Sequence, residues 1–259
     1  MSTAWRRVFP PLEQTKLRTL FHKGVAGQWS SAEIDWDAPL QLSRPEQQAL
    51  AQVLTPVYFG EHTAMLGASA MMQQFAAAHH TEAQLYLATL MLDEARHFET
   101  LTRLYQLMGL RPLEGRHLKA MFRYQARLCQ ARDKGEWLWG LLLSDILAQH
   151  FYGTLMAAHP GSLLAHIARR IVRDEARHLA FAEWSLAVIL AQQPALAPAF
   201  LKMRDELLCL VQAMGTALQP QAQFLGLDNA TLFAAVSHDI EKKVQRLHLR
   251  EPALAVDAL

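Results

Sequence analysis

Asp93-Glu94-Ala95-Arg96-His97 and Asp174-Glu175-Ala176-Arg177-His178 are the same pentapeptide, placed twice in the chain 81 residues apart. Each copy lies inside a long apolar stretch that reads as helix. A helix advances about 100° per residue, so Glu and His at i and i+3 stand about 60° apart and reach one point in space. The aspartate, four residues before the histidine, shares that face, whereas Arg96 and Arg177 are expected to point away. One Glu-x-x-His is weak, because a solvated helix face explains most of them. Two copies on two apolar helices supply half of a carboxylate-bridged dimetal bundle, whose other half is one carboxylate from each of two further helices.

Both of those carboxylates are legible. Between Gln47 and Thr81 the only Asp, Glu, Lys or Arg is Glu61, and between Trp137 and Ala168 the only one is Asp145. A buried acid without a partner costs several kcal/mol, so two lone acids on two apolar helices ask for a common reason. Glu61 precedes Glu94 by 33 residues and Asp145 precedes Glu175 by 30, each span fitting one antiparallel helical hairpin. Glu61, Glu94, Asp145 and Glu175 carry the charge that two divalent ions cancel, and His97 and His178 complete the set as neutral ligands. Oxygen-rich ligation with imidazole suits iron or manganese better than a thiolate-seeking metal.

The rest of the chain reads as an all-α bundle with additional helices in a single domain, 1–259. Ser43, Pro45 and Glu46 start a helix, and Thr55-Pro56 restarts one that runs to about Ala78. Further helices are expected from Thr81 to about Gly109, Arg116 to Asp133, Glu136 to Ala158, Ser162 to Gln193, and roughly over 197–218 and 228–250. Residues 1–42, mixed in composition, are expected to wrap around the bundle. The apolar run Trp137 to Ala158 carries Asp145, Gln149 and His150 near its middle and reads as a buried bundle helix rather than a membrane span.

The chain is 51% hydrophobic and 19% charged, with a formal net charge of +1. That composition excludes a disordered chain and gives no overall reason for a nucleic-acid partner. Cys129 and Cys209 have no metal-site or disulfide spacing and are expected to be buried thiols in a reducing cytoplasm. Arg116, Lys119, Arg123 and Arg127 form a basic stripe, readable as a solvated face or as a dock for an acidic partner such as a ferredoxin, a reductase or an acyl carrier protein.

At these motifs the sequence resembles the ferritin-like di-iron carboxylate superfamily. It is most similar to the branch of the ribonucleotide reductase small subunit, the bacterial multicomponent monooxygenases and the ligand-binding oxidases. The resemblance covers about residues 45–190. It implies that Asp93 and Asp174 hydrogen-bond metal-bound histidines and fix their orientation. It also implies a homodimer. The sequence departs from that branch at Leu101, where the reductase keeps its radical tyrosine. It departs again at Gly140 and Ala64, where the ligand-binding oxidases keep a cross-linked tyrosine and valine, and at Asp145, where glutamate is usual.

The expected cofactor is a pair of iron ions, or manganese with iron, and the co-substrate is dioxygen. The leading expectation is a cytoplasmic oxygenase or oxidase that hydroxylates, N-oxygenates or desaturates a small apolar metabolite, supplied with electrons by a ferredoxin or reductase. Candidate pocket residues one turn from the ligands are Ala64, Met65, Ala68, Leu101, Gln149, Tyr152, Phe181 and Ala182. The alternatives are a ferroxidase or metal-holding protein without organic substrate, and a tRNA-modifying hydroxylase.

Overall fold

A computed structural model describes residues 12, 15–114 and 118–249. The described residues contain helices and no strand. We number the helices α1 (Thr15–Ala26), α2 (Arg44–Val53), α3 (Thr55–Ala77), α4 (Thr81–Met108), α5 (Lys119–Cys129), α6 (Lys134–Ala158), α7 (Leu163–Gln192), α8 (Ala197–Ala217), α9 (Gln219–Phe224) and α10 (Asn229–Arg246).

Local chemistry places the boundaries. Ser43 and Glu46 form a reciprocal capping box at the start of α2, satisfying two N-terminal amides. Pro56 sits in the first turn of α3, where it removes a backbone donor and breaks α2 from α3. Asp133 and Ser162 accept from the first free amides of α6 and α7. Gly109 ends α4 at φ 61°, a left-handed conformation that costs a side-chain-bearing residue more.

α3 packs on α4 and α6 packs on α7, giving two antiparallel hairpins that face each other. α1 lies against α4 and α7, α5 against α8 and α3, and α10 against α6 and α8. The apolar interior has two parts. One gathers Ala68, Phe75, Tyr86, Leu90, Leu142, Ile146 and Phe181, and the other Leu54, Leu101, Tyr105, Phe151, Tyr152, Leu164 and Ile171. Along α4 and α7 the switch from one part to the other falls at Glu94–His97 and at Glu175–His178, and along α6 it falls just after Asp145, between Leu147 and Ala148. The polar residues therefore occupy the midplane of the bundle.

Two expectations change here. Cys129 ends α5 and Cys209 lies on α8, and both are exposed rather than buried, because each sits on a face its helix turns to solvent. Arg116 lies outside the described residues. Of its stripe, Arg127 is tied to Glu206 at 2.8 Å and to Glu136 at 3.7 Å, which leaves Lys119 and Arg123 exposed. Among the described residues no single helix is long and apolar enough to cross a membrane.

Candidate metal centre

The two hairpins bring all six candidate ligands together. Ligand atoms of Glu61, Glu94, His97 and Glu175 lie within 4.8 Å of one another, as do those of Asp145, Glu175 and His178. Donors about 2.0–2.2 Å from one ion span up to about 4 Å, so both groups need only a small contraction to close on a cation. All six residues are buried, with His97 and His178 fully so. The imidazoles are oriented alike. Nδ1 of His97 faces Glu61 at 3.3 Å, Glu175 at 3.4 Å and Glu94 at 3.8 Å. Nδ1 of His178 faces Glu175 at 3.2 Å and Glu94 at 3.3 Å.

The opposite ring nitrogens are held by aspartates from the other copy of the motif. Nε2 of His97 meets Asp174 at 3.1 Å, and Nε2 of His178 meets Asp93 at 3.3 Å. Each repeat therefore orients the histidine of its twin, and with Nε2–H donated outward the Nδ1 lone pair is left facing the carboxylates. Asp93 and Asp174 thus hydrogen-bond the candidate ligand histidines as the resemblance implies, each across to the other helix.

Arg96 and Arg177 do not point away. Both are buried. Arg96 reaches Asp93 at 2.5 Å and Asp174 at 2.8 Å, and Arg177 reaches Asp93 at 2.8 Å and Asp174 at 2.7 Å. Asp and Arg at i and i+3 share a face, and the two helices cross there, so the charges close into a square between α4 and α7. The segment after α1 caps that square. Gln28 donates to Asp93 at 3.1 Å, and the Trp29 indole N–H donates to Asp174 at 2.8 Å. Arg96 also lies 4.6 Å from the centre of the Trp29 ring, within cation–π range. Sequence reading missed Gln28 and Trp29, which lie in a stretch without helical periodicity.

Three buried polar atoms have no hydrogen-bond partner among the described residues and belong to one cluster: Nδ1 of His97, Oε1 of Glu94 and Oδ2 of Asp145. A fold rarely leaves such atoms unsatisfied, and a cation is the partner that suits carboxylate oxygens and an imidazole nitrogen at once. Proton affinities agree. Burial, with the charges of Glu94 and Glu175, pushes Glu61 up to about 8 against the pull of His97. Burial and the Glu175 charge raise Asp145 well above the usual carboxylate range. Burial resists charging of His97, but the surrounding carboxylates of Asp174, Glu175, Glu61 and Glu94 outweigh it and hold the imidazole well above its ordinary value. His178 is raised likewise, against burial, by Glu175, Asp93 and Glu94. Raised proton affinity at Glu61, Asp145, His97 and His178 is what acids and imidazoles crowded together produce, and two dications would compete with protons for these groups.

A cavity of about 280 Å³ opens beside the carboxylates between α3, α5 and α6. Of the expected wall residues only Ala64 lines it. Ala68, Leu101, Phe181 and Ala182 are packed in the interior, Met65 and Gln149 stand apart from the cavity, and Tyr152 instead donates to Glu61 Oε1 at 3.0 Å. Helix α5 supplies the missing wall through Met121, Tyr124, Gln125 and Leu128. The cavity depends on a small residue at 67, where an added Cβ would fall 1.9 Å from Trp137 Nε1. We expect Gly67→Ala to push the indole into the cavity and destabilise the fold by about 1–3 kcal/mol, read by urea denaturation. An unchanged midpoint would show that the two helices can part freely.

No protein-family model matches the sequence, and a search of curated proteins finds no match. Solved structures do match. One R2-like ligand-binding oxidase variant with an aerobically reconstituted Fe/Fe cofactor aligns at a TM-score of 0.78, covering 95% of this chain and 98% of that one at 19% identity. Another, with an anaerobically reconstituted Mn/Fe cofactor, aligns at 0.77, covering 95% and 99% at 21% identity. At such identity the likeness concerns the backbone, and across nearly its whole length this chain has the fold of the R2-like ligand-binding oxidases.

Proposed function

We propose that the chain is a dimetal oxidase or oxygenase that uses an iron pair, or manganese with iron, and dioxygen to act on a small, largely apolar metabolite. The observation that carries this reading is the convergence of two Nδ1 atoms and four buried carboxylates at one point, with three of their atoms otherwise unpartnered. Glu61, Glu94 and His97 would hold one ion and Asp145, Glu175 and His178 the other, with Glu94 and Glu175 near both imidazoles. A reduced metal pair supplies electrons to dioxygen and a Lewis-acidic clamp for the charge that develops. The chain's own part is to orient and insulate. Asp174 and Asp93 fix the imidazoles, the Arg96–Arg177 square neutralises those aspartates, and Tyr152 steadies one oxygen of Glu61. The two apolar cores keep bulk water from the midplane.

The cavity favours an organic substrate over a ferroxidase, which needs only a path for ions. A net charge of +1 gives no support to a tRNA substrate. An electron donor is required for repeated turnover. With Arg127 already paired, an acidic carrier or donor would have to rely on Lys119 and Arg123. A cytoplasmic homodimer completes the proposal. Anaerobic protein loaded with ferrous iron should consume oxygen on mixing, at a rate the Asp145→Ala variant does not reach. Equal consumption by the two would contradict the reading.

Metal uptake should tighten with rising pH. The neutral form of Glu61 is favoured in the fold between its ordinary value of 4.5 and about 8, so the metal-free protein loses that contribution as pH rises through this window. The raised values of His97 and His178 act in the same direction. Between about pH 6 and about pH 8 the melting temperature of metal-free protein should fall and the increment from added Mn(II) should grow. Scanning calorimetry with and without Mn(II) checks both, and an increment that shrinks with pH would contradict the ligand set.

A further inference from the structure

The two halves of the midplane cluster are not equivalent. Around His97 the ligand atoms of four residues converge, Glu61, Glu94, His97 and Glu175. Around His178 only three do so, Asp145, Glu175 and His178. Glu94 and Glu175 approach both imidazoles. The carboxylates that belong to one half alone are therefore Glu61 and Asp145, and any inequality turns on that pair.

Glu61 is held at both oxygens. Oε2 stands 3.3 Å from His97 Nδ1, and Oε1 accepts from the Tyr152 hydroxyl at 3.0 Å. Asp145 is not held. Its Oδ2 is buried without a partner, and among the described residues it makes no ion pair with His178, although Glu94 and Glu175 both do. Aspartate is one methylene shorter than glutamate, so the carboxylate that α6 presents stops short of the imidazole that its counterpart on α3 reaches. Cation affinity at an oxygen-rich site follows the number of charged ligands and the rigidity with which they are held. On both counts the half around His97 is the better site.

We propose that the centre assembles in a fixed order, in which Glu61, Glu94 and His97 take the first ion and Asp145 makes the other half a weaker site. The pair is then completed only when free metal is plentiful, and at scarce metal the chain rests with one ion and without two-metal chemistry. The proposal rests on the dimetal reading and adds to it an order of assembly and the residue, Asp145, that sets it. Repulsion between two dications would also separate two binding steps. It would penalise whichever half came second, however, and would give Glu61 and Asp145 equal standing.

The test is titration of metal-free protein with Mn(II), kept without oxygen and followed by calorimetry and electron paramagnetic resonance. In wild type the first ion should bind at least about tenfold more tightly than the second. The signal of an isolated ion should appear with the first equivalent and give way to that of a coupled pair with the second. Asp145→Ala should keep the first step and lose the second, whereas Glu61→Ala should weaken the first step about tenfold or more. Asp145→Glu, which restores the longer arm, should tighten the second step about tenfold and leave the first unchanged. Circular dichroism confirms that each variant is folded. Equal weakening of the first step by Asp145→Ala and Glu61→Ala, or a second step indifferent to Asp145→Glu, would overturn the order. Either result, with two ions still bound by wild type, defeats only this inference, whereas no Mn(II) binding by wild type defeats the dimetal reading beneath it.

Discussion

Glu175→Ala is expected to fold and to lose the metal pair. Glu175 stands closest to both halves of the centre, with Oε1 3.4 Å from His97 Nδ1 and Oε2 3.2 Å from His178 Nδ1. It also belongs to both groups of converging ligand atoms. Its removal therefore deprives each ion of a donor, whereas loss of Glu61 or Asp145 would open one side. The metal-free fold should tolerate the change, because these acids crowd one another and the variant relieves that repulsion. Elemental analysis after reconstitution should find about two ions per chain in wild type and well under one in the variant. Circular dichroism of the two should coincide. Retention of two ions by a folded Glu175→Ala protein would contradict its place in both halves of the centre.

Arg177→Met is the second large effect, and it acts on stability. Arg177 ties Asp93 to Asp174 in a square completed by Arg96. Removing one cation leaves two buried aspartates facing each other with half their compensation, a change that typically costs about 3–5 kcal/mol. In a chain of this size that corresponds to a melting temperature lower by on the order of 10 °C. The double variant Arg177→Met with Asp93→Asn should lose less than the sum of the single losses, because the aspartate no longer needs its partner. Strict additivity, or a loss below about 1 kcal/mol for Arg177→Met, would mean that the square carries little of the fold.

The sequence declares the midplane acids and histidines because each advertises itself locally. Glu94 and His97 share a face by spacing alone, and Glu61 and Asp145 stand out as lone charges in apolar helices. Helix ends marked by Ser43, Glu46 and Gly109 are legible for the same reason, since each acts within a turn of where it sits, whereas Asp133, expected to end the basic helix, caps the start of α6 instead. What spacing on one helix cannot disclose is a partner on another. Arg96 looked solvent-facing because its second partner, Asp174, lies on α7, and the exchange of aspartates between the two histidines is likewise a property of the crossing. The cavity wall was placed on the ligand helices, although much of it comes from α5. There the basic residues at 119, 123 and 127 drew attention away from the apolar face formed by Met121, Tyr124 and Leu128. Gln28 and Trp29, which close the charge square, carry no periodic signal at all.

The most direct test of the central claim is anomalous diffraction at the iron edge from crystals of iron-reconstituted protein. The dimetal reading predicts two peaks about 3.5–4 Å apart, one beside Glu61, Glu94 and His97 and the other beside Asp145, Glu175 and His178. No peak at the midplane, or iron bound only elsewhere on the chain, would contradict it.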